Sequence, residues 1–207
     1  MKVGISQPRY FPWMPYIQRM RVCDLWVFLD DIQFNKRSFE HRCKVGMDAK
    51  TYLTVPVSTS QRSNISEVLI SPDIDWRNRH RDLISDRNRG AKHLDEALLF
   101  FDYCVSYGRD DLFGLIDQVT RKCQGAFGYT TKVEYQSQLG ITTSASQLLL
   151  DICKAVGATE YVSGQGGRNY MDMSLFEAAD MPVSFFEWPV TGESCIGTLA
   201  REGVHGY

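Results

Sequence analysis

The sequence predicts an α/β fold: an open, mostly parallel sheet with a β-rich and helical region inserted in its middle. Three observations predict it. Short apolar runs without alternation, such as Leu25-Trp26-Val27-Phe28-Leu29, read as strands buried on both faces, as parallel strands covered by helices are. These runs alternate with stretches whose apolar residues recur at helical spacing. Between about residues 38 and 129 that alternation stops, and antiparallel and then helical patterns replace it.

Lys2 to Gln7 reads as a buried strand stopped by Pro8, and Phe11 to Val22 as a helix with Phe11, Met14, Tyr16 or Ile17, and Met20 on one stripe. With the strand Leu25 to Leu29, which runs into Asp30-Asp31, these make a βαβ unit of right-handed crossover. Phe39 to Val45, Tyr52 to Val57 and Ile65 to Ile70 are β-rich, separated by Gly46-Met47-Asp48-Ala49 and by Ser58 to Asn64. From Asp75 to about Tyr129 the pattern is helical, broken at Gly90 and Gly108, with Asp110-Asp111 as a helix-start signal. Strand and helix then alternate again. Val133 to Tyr135, Tyr161 to Ser163 and Val183 to Phe186 are the strands, and Thr143 to Val156 and Ser174 to Ala179 the helices. The expected architecture is a single Rossmann-like domain of about five strands, with its core at about 1–37 and 130–190 and its insertion at about 38–129.

Composition narrows the function. Lys and Arg number 23 against 25 Asp and Glu, a net charge of −2, so no overall field recommends nucleic acid or an anionic membrane. No apolar run approaches the ~20 residues of a membrane span, and Met1-Lys2-Val3-Gly4-Ile5 leads into Ser6-Gln7-Pro8 and not into a signal-peptide core, which predicts a cytoplasmic protein. The six cysteines are scattered with no C-x-x-C, as in a reducing compartment, and His41-Arg42-Cys43 lacks the further ligands zinc requires.

Ligands of open α/β sheets bind beyond the carboxyl ends of the strands, where four segments are expected: Gln7 to Tyr10, Asp30 to Phe34, the loop after Tyr135, and Gly164 to Tyr170. Gln7 to Tyr16 holds three prolines and four aromatic residues, a stiff loop that fixes Gln7, Arg9, Tyr10 and Trp13 at low entropic cost or simply plugs the sheet. Asp30 and Asp31 suit Mg²⁺ or a substrate amine, or cap the next turn, while Gln33, Lys36 and Arg37 suit phosphate or a solvated turn. His80 falls on the apolar face of its helix with Trp76, Leu83 and Ile84; it is a second-tier base beside its more usual core role. Arg77, Arg79, Arg81, Arg87, Arg89 and Lys92 form the densest positive stretch, where an RNA backbone would be read if anywhere. Gly164, Gly166, Gly167 and Arg168, followed by Tyr170, join a strand to a helix, a setting for binding phosphate.

Q-P-R-Y-F-P-W at 7–13, V-F-L-D-D-I-Q-F-N-K-R at 27–37, L-T-V-P-V at 53–57, D-I-C-K-A-V-G-A-T-E-Y-V-S-G at 151–164 and G-R-N-Y-M-D at 167–172 resemble the WbqC-like family. Ser6 stands where many relatives have His before the Gln-Pro pair, and the chain ends at Tyr207 where relatives commonly continue, which implies a shortened cap or one supplied by a partner. A more distant likeness runs to the HUP-type nucleotidyltransferases with a HIGH motif, but Phe11-Pro12-Trp13-Met14 stands where their two histidines would be needed.

The family resemblance implies a role in surface-polysaccharide or secondary-metabolite biosynthesis. The resulting expectation is a transferase that forms an amide between an activated amino acid or acyl group and the amino group of a nucleotide-linked sugar. Its donor would be an aminoacyl-tRNA, a carrier-protein thioester or an ATP-derived adenylate. Asp30, Asp31 and His80 are the expected base or orienters. A nucleotidyltransferase and a non-catalytic nucleotide-sugar binding protein are the rival expectations.

Overall fold

A computed structural model of the chain describes all residues except 47–49, 60–62, 73, 107, 109, 190–191 and 205–207. The expectations placed on Met47 to Ala49, on part of the 58–64 turn and on Tyr207 therefore lie outside the described residues. The chain divides into two compact bodies. The first comprises 1–7, 15–31 and 130–189, the second 8–14, 32–129 and 190–207.

The first body carries a five-stranded sheet of β1 (Lys2–Ser6), β2 (Leu25–Phe28), β7 (Lys132–Tyr135), β8 (Glu160–Gly164) and β9 (Val183–Phe186), in the order β7-β2-β1-β8-β9. Every pairing is parallel, so the Rossmann-like sheet expected from the apolar runs is the one observed. Its order, third-second-first-fourth-fifth among its own strands, reverses between β1 and β8. Gly4 is opposite Trp26 in the β1–β2 register, and a Cβ on it would stand 2.4 Å from the indole. Only glycine lets that fully buried ring lie against β1. Helices α1 (Met14–Arg21), α5 (Ala145–Ala155) and α6 (Met173–Ala178) complete the α/β alternation. The Asp172 side chain starts α6 by accepting from Ser174 N at 3.1 Å.

The second body opens with two small antiparallel pairs: β3 (Arg42–Val45) with β4 (Thr51–Thr54), and β5 (Val57–Ser58) with β6 (Leu69–Ile70). Three helices follow, α2 (Trp76–Arg87), α3 (Leu94–Val105) and α4 (Leu112–Ala126). Asp111, part of the expected start signal, is the cap of α4, its carboxylate accepting from Gly114 N at 2.5 Å. The body closes with α7 (Cys195–Glu202), a helix the sequence reading did not foresee. Along α7, the buried Glu193 carboxylate lies over Gly197, where a Cβ would stand 1.8 Å from Oε1, and pairs with Arg201 at 2.5 Å. All six cysteines are buried and unbridged, and no helix among the described residues is long and apolar enough to cross a membrane.

Candidate functional site

In the second body the proline-rich loop 8–13 is held in a strained shape. Phe11 has φ 39°, a region that bulky L residues rarely adopt, and it precedes Pro12, which favours an extended predecessor. Such strain persists only when the surroundings over-determine it. Here the Phe11 ring is fully buried, edge-on to Tyr10 at 4.8 Å and 5.6 Å from Phe101. Tyr10 N donates to Phe39 O at 3.2 Å, and Cys195 N at the start of α7 donates to Pro12 O at 2.9 Å.

The pinned loop forms one wall of a 270 Å³ cavity that Phe39, Cys43, Lys44, Gly192 and Ser194 complete. Sequence-predicted Arg9, Tyr10 and Trp13 all line it. Its polar character is cationic and its walls are aromatic. The Arg9 guanidinium lies 5.6 Å from the Phe39 ring, and at the adjoining surface Arg42 lies 4.8 Å from the Tyr52 ring and Lys44 5.7 Å from it. Cations poised on aromatic faces suit a ligand that joins phosphate to a planar or sugar ring. Burial pushes the Cys43 thiol up to about 12, so Cys43 is neutral and no nucleophile.

His80 is placed beneath this loop. Its Nε2 faces Thr54 O at 3.1 Å, and a carbonyl can only accept, so Nε2 carries the proton and Nδ1 accepts from the Tyr10 hydroxyl at 3.0 Å. Burial pulls its pKa down to about 4. His80 is thus a buried, neutral imidazole with both nitrogens engaged. Glu40 is the carboxyl that sequence reasoning missed. It is buried, Oε2 accepts from Asn35 N at 3.1 Å, Oε1 meets no partner among the described residues, and burial raises its pKa despite the charge of Arg9. Gln33, Lys36 and Arg37 are exposed on the turn after β2. In the positive stretch on and after α2, Arg81 pairs with Asp102 at 3.1 Å, Arg89 pairs with Asp86 at 2.8 Å, and Arg77 donates to Val105 O at 3.0 Å.

In the first body the expected residues gather at the carboxyl ends of the strands, in distinct roles. Asp30, 3% exposed, accepts from both Ser137 N at 3.0 Å and Ser137 Oγ at 2.6 Å. It clamps the 3₁₀ turn Gln136–Leu139 that follows β7. Asp31 is exposed, and Gln7 offers its carbonyl to the Tyr16 hydroxyl at 3.1 Å. The glycine-rich segment is itself a 3₁₀ turn, Gln165–Asn169. Gly167 is dictated by packing, since a Cβ there would stand 2.2 Å from Ser163 Oγ, whereas Gly166 faces open space. Arg168 lies 4.4 Å from the Phe185 ring and pairs with exposed Glu187 at 3.1 Å, and Tyr170 is exposed. Arg19, which no motif singled out, is buried beside Gly164.

A parallel sheet that reverses order between β1 and β8, with a mixed α/β insertion, defines a Rossmann-like α/β protein. Within that class the chain belongs to the WbqC-like protein family, whose model matches residues 7–192. It is also similar to a protein of Mycobacterium tuberculosis named Uncharacterized protein Rv1507c, with 26% identity over 194 residues, covering 90% of this chain and 82% of the relative. No solved structure matches it.

Proposed function

We propose that the protein is a transferase forming an amide between an activated amino acid or acyl group and the amino group of a nucleotide-linked sugar, in polysaccharide or secondary-metabolite biosynthesis. The observation that carries this reading is the cavity walled by Arg9, Lys44 and aromatic rings behind a strained loop. At 270 Å³ it matches one sugar ring or amino-acid moiety, since whole drug-sized ligands fill ~300–1,000 Å³. The phosphates and base then lie along the Arg42 and Tyr52 surface.

In the transfer the amine nitrogen attacks the acyl carbon, the leaving oxygen or sulfur departs with the bonding pair, and the amine loses a proton. An activated donor makes this step depend chiefly on juxtaposition, which is worth ~7–11 kcal/mol when well oriented. Arg9 and Lys44 hold phosphate or the acyl oxygen. His80 and Asp30 are committed to internal hydrogen bonds, and the amine proton leaves with the departing group or to water. Tyr10 is a positioning residue, oriented by His80.

Those same commitments favour a second reading, a non-catalytic module that presents a nucleotide-sugar to a partner enzyme. Mass spectrometry of the molecule that co-purifies with the full chain identifies the ligand. Incubation with a nucleotide-linked amino sugar and, in turn, aminoacyl-tRNA, acyl thioester, and amino acid with ATP then decides between them. Acylated product supports the transferase; tight binding without product supports the module.

A further inference from the structure

Arg19 stands in the last turn of α1, where an arginine ordinarily reaches water, yet it is 8% exposed. Its guanidinium lies 4.7 Å from the Trp26 ring. Among the described residues Nη2 makes only a long contact to Ile5 O at 3.4 Å, and Nε has no partner. Among the described residues no carboxylate pairs with it. The titratable groups that face it are neutral: burial pushes the Cys23 thiol up to about 12 and raises the Tyr161 phenol as well. Burying a cation without a counter-charge is costly, and an aromatic face returns only part of that cost.

Its place in the sheet explains why such a charge is kept. β1 and β8 pair only at Lys2↔Glu160 and Val3↔Tyr161, whereas β8 pairs with β9 as far as Gly164↔Phe186. The sheet therefore splits before Ile5, at the position where strand order reverses, and the Arg19 guanidinium sits in the split. Gly164 ends β8 there, and a Cβ on it would stand 2.8 Å from Nη1. Gly166, one turn on, is exposed with nothing within 4 Å of its Cβ position. Neither glycine carries a side chain over the carboxyl end of the sheet beside Nη1.

We propose that Arg19 anchors an anion subsite in the β1–β8 crevice that takes a phosphoryl group, entering past Gly164. A guanidinium binds two phosphate oxygens at once, and open α/β sheets place phosphates at this crevice. The subsite does not depend on the transfer chemistry proposed above, and it assigns the anion to Arg19 and not to Arg168, whose charge Glu187 shares.

The test uses the full chain with inorganic pyrophosphate as probe and acetate as the carboxylate control, read by calorimetry and thermal shift. Wild type binds pyrophosphate and melts higher in its presence; acetate has no effect. Arg19→Met removes the buried charge, keeps or raises the melting temperature without ligand, and weakens pyrophosphate binding about tenfold or more. Gly164→Ala, whose backbone at φ −76° accepts alanine, displaces the guanidinium and weakens binding similarly with the charge retained. Wild type that ignores pyrophosphate, acetate acting equally, or variants that bind like wild type while Arg168→Ala does not, overturns the proposal. Should Arg19→Met fail to fold, Gly164→Ala decides.

Discussion

The Tyr10 hydroxyl donates to Nδ1 of His80 at 3.0 Å, joining the loop after β1 to the buried face of α2. Both groups are buried, so this bond is part of what holds Phe11 in its left-handed conformation. Tyr10→Phe leaves Nδ1 buried without a donor. The expected cost is ~1–3 kcal/mol in urea unfolding, with weaker binding of any cavity ligand. Unchanged stability would mean that the ring contacts alone hold the loop.

Stability should fall on acidification below pH 6.5. Burial holds both His80 and His41 near a pKa of about 4, against an unfolded value of 6.5. Between those values the unfolded chain binds more protons, so unfolding becomes easier as pH falls, by ~3 kcal/mol per ring at the low end. Glu40 works the other way, because its raised pKa makes the folded chain the better proton binder above pH 4.5. Two histidines against one carboxyl leave the first effect dominant. Urea midpoints at pH 7, 5.5 and 4 should decline, and His41→Gln should flatten the decline.

Asp30 and Asp31 should part company in stability. Asp30→Asn keeps one acceptor for Ser137 but loses charge and the second bond, at an expected ~1–3 kcal/mol. Asp31→Asn, at an exposed position, should change stability by less than ~0.5 kcal/mol. Amide exchange at Ser137 should quicken in the first variant alone.

Gly197→Ala should be among the most damaging single-carbon additions. The new Cβ would displace the buried Glu193 carboxylate from Arg201, and breaking a buried pair costs ~3–5 kcal/mol. Thermal unfolding measures it. A mild effect would show that the carboxylate can move without leaving Arg201.

The sheet was legible because parallel strands must be apolar on both faces, and Leu25 to Phe28 can be read as little else. Arg9, Tyr10 and Trp13 were legible for a related reason: three prolines and four aromatic residues in ten positions leave a chain few other uses. Cys43, Lys44 and Ser194 carry no such local signal, since the cavity draws them from segments about 150 residues apart in the chain. Helix α7 was hidden by Gly197, whose low helix propensity is overridden by the packing of Glu193. Arg19 was hidden in the opposite way. An arginine late in an amphipathic helix reads as solvated, and its burial against Trp26, beside Gly164 and the splitting of β1 from β8, depends on residues outside its own helix. The apolar spacing of α2 placed His80 correctly on the buried face, and the bonds to Tyr10 and Thr54 then take both of its nitrogens.

The central claim is that the cavity between Arg9 and Lys44 holds the substrate of an amide-forming transfer. The most direct measurement is product formation by the isolated full chain from a nucleotide-linked amino sugar and each class of activated donor, comparing wild type with Lys44→Ala and Arg9→Ala. The account predicts product with one donor class, and a fall in kcat/KM of about tenfold to a hundredfold in each variant, as when a hydrogen bond to a charged group is lost. Melting temperatures should stay near that of wild type in Lys44→Ala. No product with any donor class, or variants as active as wild type, would contradict it.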